Sequence, residues 1–250
     1  MGLIIIPDVH GRPFWRKAVM DYPEDEYLFL GDYLDPYPFD EIGDREAFTG
    51  LKDIIGLWEK RPEKVTLLLG NHDLHYLHYE LKGSRYDMLH AGRNAKFFRQ
   101  YAEAFQLACE RTAGGQRFLF THAGVGKKWL EGLVPEAPEK LITAAFLNDC
   151  YRKVPAFIHA LADVSYYRGG AQQYGSCVWA DLMEQGELAN QLTSVVQVFG
   201  HTMVSRPFNY GNRIFCLDCS RCFRLDLESG DILDLNSGKP VPMQQMGDEL

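Results

Sequence analysis

The chemistry-bearing residues of this chain fall into five short clusters: Asp8-Val9-His10-Gly11, Gly31-Asp32, Gly70-Asn71-His72-Asp73, Thr121-His122-Ala123-Gly124 and Gly200-His201-Thr202. Asp8 and His10 stand two residues apart, so beyond a strand end both side chains can turn to the same side. Asp32 is a lone carboxylate next to Gly31, where backbone and metal can approach closely. Asn71, His122 and His201 lie far apart and can meet only through the fold. Imidazole, carboxylate and amide donors in one set suit Mn, Fe or Zn better than Ca, whose sites are built from oxygen. Two such ions need a bridging anion, and Asp32 can serve. A pair about 3.5–4 Å apart can bind two phosphate oxygens and acidify a water between them. A single Asp-x-His is more often a hydrogen-bonded turn; the five clusters together argue for a metal centre.

Each cluster directly follows a short apolar run: Leu3 to Ile6, Tyr27 to Leu30, Val65 to Leu69, Phe118 to Phe120 and Val195 to Phe199. Such runs read as buried parallel strands. Between them Ala47, Phe48, Leu51, Ile54, Ile55 and Trp58 recur at helix spacing, as do Phe97, Phe98, Tyr101, Phe105 and Ala108. Leu141 to Tyr151 reads as a third helix, and Pro155 as the opening of a fourth. Strands alternating with helices imply a largely parallel sheet, with ligands gathered at its carboxyl rim. From Arg213 onward Ile214 to Leu217, Phe223 to Leu225 and Ile232 to Leu235 read as short antiparallel strands, with a turn at Ser229-Gly230-Asp231. Gln244 to Leu250 is expected to fray.

The 250 residues are expected to form one α/β domain, 1–250, and 46% hydrophobic with 24% charged residues is a globular composition. A net charge of −8 argues against bulk nucleic-acid binding. A metal pair would still create a locally positive site. The first apolar run is too short for a signal peptide and no basic region precedes it. No run approaches the length of a membrane helix. Ile6 stands where a myristoylation signal wants Ser or Thr. The expectation is a cytoplasmic protein without membrane association, its six cysteines reduced. Cys216, Cys219 and Cys222 lack the fourth thiolate of an iron–sulfur motif, since Asp226 stands at that spacing, and read as structural thiols. Oligomeric state is not legible.

The five clusters, in this order, resemble those of the calcineurin-like metallophosphoesterases. The branch most similar holds the PPP-type Ser/Thr protein phosphatases and the bacterial diadenosine tetraphosphatases. Gly31-Asp32-Tyr33-Leu34-Asp35 extends the second match, and Val178-Trp179 and Leu217-Asp218-Cys219 are softer ones; the resemblance spans about residues 3 to 235. It implies a metallophosphoesterase-type β-sandwich, a mostly parallel sheet plus antiparallel C-terminal strands, flanked by helices. It also implies two divalent or trivalent metal ions, Mn and/or Fe with Zn as an alternative. Asp8, His10 and Asp32 would hold the first, and Asp32, Asn71, His122 and His201 the second. His72 would protonate the leaving alkoxide as general acid, with Asp35 orienting it, and a metal-bridging hydroxide would be the nucleophile.

The chain also departs from that branch. Pro36 and Tyr37 stand where Arg-Gly usually follows the second motif, and Ala180-Asp181 where an arginine usually follows Trp179. Bidentate arginine is the best phosphate reader available. Arg12, Arg45 and Arg168, in that order, are the expected substitutes. Met203 stands where many other branches place a second metal-binding His, which fits a first ion with three protein ligands. Asp73, where the family often has Glu, is expected to support the site or simply a turn. His75 and His78 are expected on an exposed helical turn, the alternative being that they line the site or bind a further metal. Residues from about 127 to 180 carry little motif and few basic groups, and read as a helical cap-like insert that chooses the substrate. The expected function is a phosphomonoesterase nearest to phosphoprotein phosphatases, acting on a phosphoprotein or small phosphoester. The alternatives are a nucleotidase or dinucleoside polyphosphate hydrolase and, further off, a non-catalytic metal-binding scaffold, which would not need the Asp35–His72 pair.

Overall fold

The computed structural model describes residues 2–134, 139 and 142–244. Strand β1 (Gly2–Ile6) is buried along its whole length, and its alternation sets the layers. Leu3 and Ile5 join one apolar cluster with Leu28, Leu68, Phe120 and Val198. Ile4 and Ile6 point the other way, into a cluster with Tyr27, Phe29, Leu51 and Ile54. A strand covered on both faces must be apolar at every position, which is why this run shows no polar alternation.

On one side β1 pairs in parallel with β2 (Glu26–Phe29), β2 with β3 (Val65–Leu68), and β3 with β4 (Phe105–Gln106). On the other side it pairs antiparallel with β10 (Phe223–Asp226), which leads to β11 (Ile232–Asp234) and β12 (Lys239–Pro240). The second sheet runs β5 (Ala108–Ala113), β6 (Gln116–Thr121), β7 (Val196–Phe199), β9 (Ile214–Cys216), β8 (Phe208–Tyr210). The cluster around Leu3 and Ile5 draws side chains from both sheets, so they form a sandwich.

Helices α1 (Trp15–Asp21), α2 (Asp44–Lys60), α3 (Asn71–Leu77) and α4 (Ala91–Gln100) follow the first strands. Next come α5 (Lys127–Leu133), α6 (Ala144–Lys153), α7 (Phe157–Ala160) and α8 (Leu182–Gly186). Along α2, Ala47, Leu51, Ile54 and Ile55 are buried at helix spacing. Each of the three larger side chains contributes about 1.5–3 kcal/mol by leaving water. Asp44 and Glu46 in the first turn and Lys60 in the last complement the helix dipole.

Several element expectations need correction. The helix expected to run through Phe105 and Ala108 ends at Gln100. Phe105 sits at the helical spacing but belongs to β4. There Leu69 N–H donates to Gln106 O at 2.9 Å, and the Phe105 ring packs against Tyr33 and Phe98. Tertiary pairing overrode a periodicity that one edge strand can mimic. Helix α6 starts at Ala144, capped by Thr143 Oγ1 accepting from Phe146 N–H at 3.0 Å; Leu141 lies outside the described residues. Strand β9 is antiparallel to β8 but parallel to β7. The strand expected to reach Leu235 stops at Asp234. Of the tail expected to fray, Gln244 is tied down, its N–H donating to Asn209 O at 2.8 Å; 245–250 lie outside the described residues. No helix among the described residues is long and apolar enough to cross a membrane.

Candidate active site

The carboxyl ends of β1, β2, β6 and β7, with the N-terminus of α3 after β3, converge at one rim. Four of the residues there have positive φ without being glycine: His10 at 44°, Asp32 at 54°, Asp35 at 58° and His201 at 62°. Few side chains tolerate that region, so backbone strain is concentrated where side chains must be aimed. Two glycines allow the closest approaches. A Cβ on Gly70 would lie 2.1 Å from Asp32 Oδ1, and one on Gly200 would lie 2.1 Å from Asp8 Oδ1. Asp8 accepts from His201 N–H at 3.0 Å, and Asp32 from His72 N–H at 2.9 Å.

Two buried donor groups share Asp32. Asp8, His10 and Asp32 form one, and Asp32, His122 and His201 the other; within each group the ligand atoms lie within 4.8 Å of one another. Asn71 Oδ1 joins the second, 3.0 Å from His122 Nε2. His10 donates Nδ1–H to Leu34 O at 2.7 Å, and His122 donates Nδ1–H to Leu30 O at 2.9 Å. Both rings therefore present a bare Nε2 lone pair inward. His10 Nε2 faces Asp32 Oδ2 at 3.4 Å, and His122 Nε2 faces the same oxygen at 3.5 Å. His10 Nε2 and His201 Nε2 are buried without a hydrogen-bond partner. The His10 lone pair faces a carboxylate oxygen with no proton between them, and His122 Nε2 sits among Asp32 Oδ2, Asn71 Oδ1 and His201 Nδ1, the last at 3.1 Å; a cation at the centre of such a set removes the repulsion. The residues present thus fit metal ions.

Titration leans the same way. Burial pushes the His10 imidazole down to about 3, and burial beside His122 takes His201 well below its ordinary value, so both rings stay neutral as ligands must. Burial opposes charge on Asp32, but His122, His72 and His10 outweigh it and hold the carboxyl below its ordinary range.

Next to these groups, His72 donates Nδ1–H to Asp35 Oδ2 at 2.9 Å. Asp35 also receives the Tyr76 hydroxyl, and His75 Nε2 lies 2.8 Å from Oδ2. Burial opposes its charge, yet His72 and His75 hold the carboxyl below its usual value. His75 is therefore not on an exposed turn: it is 1% exposed and packed edge-on against Tyr76 and Tyr86. His78 is half-buried against Tyr151. Positions 71, 72, 75 and 76 share one face of α3, and that spacing was the available signal. Asp73 accepts from Asp32 N–H at 2.7 Å, Gly70 N–H at 2.8 Å and Tyr33 N–H at 3.0 Å, joining the start of α3 to the loop that carries Asp32.

A cavity of about 180 Å³ opens onto the site, lined by Asp32, Tyr37, Asn71, His72, Ser84, Arg85, Arg168, Trp179 and His201. Of the three arginines expected there, Arg168 lines it. Arg168 is drawn in by Asp181 Oδ2 at 3.5 Å and donates to His201 O at 3.3 Å. Arg12 does not line it: Nη1 bonds Ser220 and Nε lies 3.6 Å from Asp40, with the guanidinium 5.7 Å from the Tyr37 ring centroid. Arg45 is exposed on the first turn of α2 and does not line the cavity, because nearness in sequence is not nearness in space. Arg85, which the sequence reading did not single out, does line it. Cys216, Cys219 and Cys222 are free thiols, and no cysteine joins a potential metal-binding group among the described residues.

A family model described as calcineurin-like phosphoesterase matches residues 1–205. No curated protein matches the chain. Among solved structures, the cold-active protein-tyrosine phosphatase of a psychrophilic Shewanella is similar at a TM-score of 0.65 and 16% identity, over 96% of this chain and 80% of that one. A protein serine/threonine phosphatase from Saccharomyces cerevisiae is similar at 0.50 and 14% identity, over 92% and 76%. At these identities the likeness shows a shared fold.

Proposed function

Because the chain belongs to the calcineurin-like phosphoesterase family, we propose that it is a dinuclear metal-dependent phosphomonoesterase, closest in action to phosphoprotein phosphatases. Asp8, His10 and Asp32 would hold one ion, and Asp32, Asn71, His122 and His201 the other. The mixed N and O donors suit Mn, Fe or Zn. Bound there, two such ions would polarise the phosphate oxygens and supply an acidified water as nucleophile.

The remaining work belongs to the chain's own side chains. Asp35, fixed by His75 and Tyr76, holds the Nδ1 proton of His72. That leaves Nε2 facing the cavity, where it accepts from Arg85 Nη2–H at 2.9 Å; to protonate a leaving alkoxide the ring must first take up a proton at Nε2 and release Arg85. Arg168, pinned by Asp181, would bind phosphate from the side of His201. Trp179, 5.5 Å edge-on from the His201 ring, is a wall that limits water. The observation that carries the reading is the burial of bare histidine lone pairs among carboxylates, directly beside an ordered His72–Asp35 pair. A scaffold without turnover would need the first and not the second.

The test is elemental analysis of the purified protein, followed by assay with added Mn²⁺. The panel is p-nitrophenyl phosphate, bis-p-nitrophenyl phosphate, phosphopeptides and dinucleoside polyphosphates. Bound metal with preference for monoesters is expected. Absence of metal together with no turnover on any substrate would refute the enzyme reading, and preference for the dinucleotides would move it to the polyphosphate hydrolases.

A further inference from the structure

Pro36 and Ala180-Asp181 stand where this branch's arginines are expected, yet a residue at or directly beside each position holds an arginine from elsewhere. Asp181 pins Arg168. Tyr37 carries Arg85, whose guanidinium carbon lies 3.6 Å from the ring centroid. That stack is close, and Tyr37 is itself buttressed by a second stacked ring, Phe39 at 5.0 Å. Arg85 donates Nη1–H to Asp35 O and Nη2–H to His72 Nε2, both at 2.9 Å. Its backbone φ is 56°, a left-handed state that a long side chain seldom adopts. The stack and two hydrogen bonds fix the guanidinium over the cavity and sustain that backbone state.

We propose that Arg85, mounted on Tyr37, is the phosphate-reading residue of this chain and selects dianionic phosphomonoesters over diesters. The inference rests on the phosphomonoesterase reading above. Its geometric basis is the atom Arg85 touches. His72 Nε2 has one in-plane bonding direction, which Arg85 Nη2 fills at 2.9 Å, so a leaving oxygen that takes that place lies beside the guanidinium it displaces. The phosphoryl group carrying that oxygen then comes within reach of the guanidinium. Arginine has five N–H donors; Nη1 stays on Asp35 O, and the donor released from His72 joins the unused ones in reach of phosphate oxygens. With Arg168 on the same cavity, two fixed positive charges match a dianion better than a monoanion that carries a second ester group.

The experiment compares metal-loaded wild type with Arg85→Ala, Arg85→Lys and Tyr37→Leu. The readouts are inorganic phosphate affinity by calorimetry and kcat and KM on p-nitrophenyl phosphate and bis-p-nitrophenyl phosphate. Metal content is checked by elemental analysis. Arg85→Ala should weaken phosphate binding and raise the monoester KM by about 10–100-fold, the scale of a lost charge-assisted hydrogen bond. The diester KM should change little, so the monoester preference collapses, and Arg85→Lys should recover part of it. Tyr37→Leu should weaken phosphate by about threefold or more with Arg85 still present. Phosphate affinity in Arg85→Ala within twofold of wild type, at unchanged metal content, would overturn the assignment to Arg85 while leaving the enzyme reading intact. A metal-loaded wild type that neither binds phosphate nor turns over any ester would overturn both.

Discussion

Replacing Asp73 with alanine should destabilise the fold by about 3–5 kcal/mol, and the number follows from three hydrogen bonds. The Asp73 carboxylate is fully buried and accepts from the backbone N–H groups of Asp32, Gly70 and Tyr33. Alanine leaves all three donors buried and unpaired. Each unsatisfied donor costs about 1–3 kcal/mol, so a simple sum gives roughly 3–9 kcal/mol. Two effects pull toward the low end: burial and the neighbouring Asp32 already oppose a charge on the Asp73 carboxyl, a cost its removal relieves, and water can enter the space left. For a chain of this length, about 3–5 kcal/mol corresponds to a melting point lower by roughly 6–20 °C. The assay is thermal unfolding followed by circular dichroism, in chelator, so that loss of metal does not enter the comparison. Asp73→Asn keeps one acceptor oxygen and should fall between alanine and wild type. An Asp73→Ala melting point within about 1 °C of wild type would show that the three bonds do not hold the Asp32 loop, and the reasoning would fail.

His72→Asn should lower kcat by about 10²–10⁴-fold on phosphoserine peptides and far less on p-nitrophenyl phosphate, whose leaving group needs no proton. Equal losses on both would remove the general acid assignment. Asp32 belongs to both donor groups, so Asp32→Asn should lose more metal on dialysis than Asp8→Asn, read by elemental analysis; equal retention would argue against a shared carboxylate. Burial pushes the Cys177, Cys219 and Cys222 thiols up to about 12. Since the thiolate is the reactive form, these three should resist iodoacetamide at pH 8 in the native protein and react on unfolding, as peptide mapping would show. Rapid native alkylation of Cys177 or Cys222 would contradict their burial.

The donor set was legible because each member follows an apolar strand, and strand direction in a parallel layer already determines which end its successors occupy. Asp8 and Asp32 follow strands of one sheet and needed only that, whereas His122 and His201 follow strands of the other, and their meeting with the first pair was an expectation from the resemblance. His75 was misplaced because helical spacing reveals which residues share a face but not whether that face is covered; on α3 it is covered by Tyr86 and Asp35. Arg85 carried no signal at all. Its position depends on a left-handed backbone state and on a ring at Tyr37, and neither is written in local pattern. Arg45 failed for the opposite reason: it stands near a motif, but α2 turns it to solvent. Phe105 shows the limit of periodicity itself, since two residues of edge strand satisfy the same spacing as a helical stripe.

Strand β1 has one neighbour that follows it closely, β2, and one that arrives late, since Gly2 is registered against Asp226. On the ribosome, at about 5–20 residues per second, the second neighbour is made roughly 10–45 s after the first strand emerges. Throughout that interval one edge of a wholly apolar strand has unsatisfied N–H and C=O groups, and the strand's inward face lacks the second sheet. Expression yield of this protein should therefore respond to translation speed and to the supply of holdase chaperones more than to stabilising substitutions elsewhere in the finished fold.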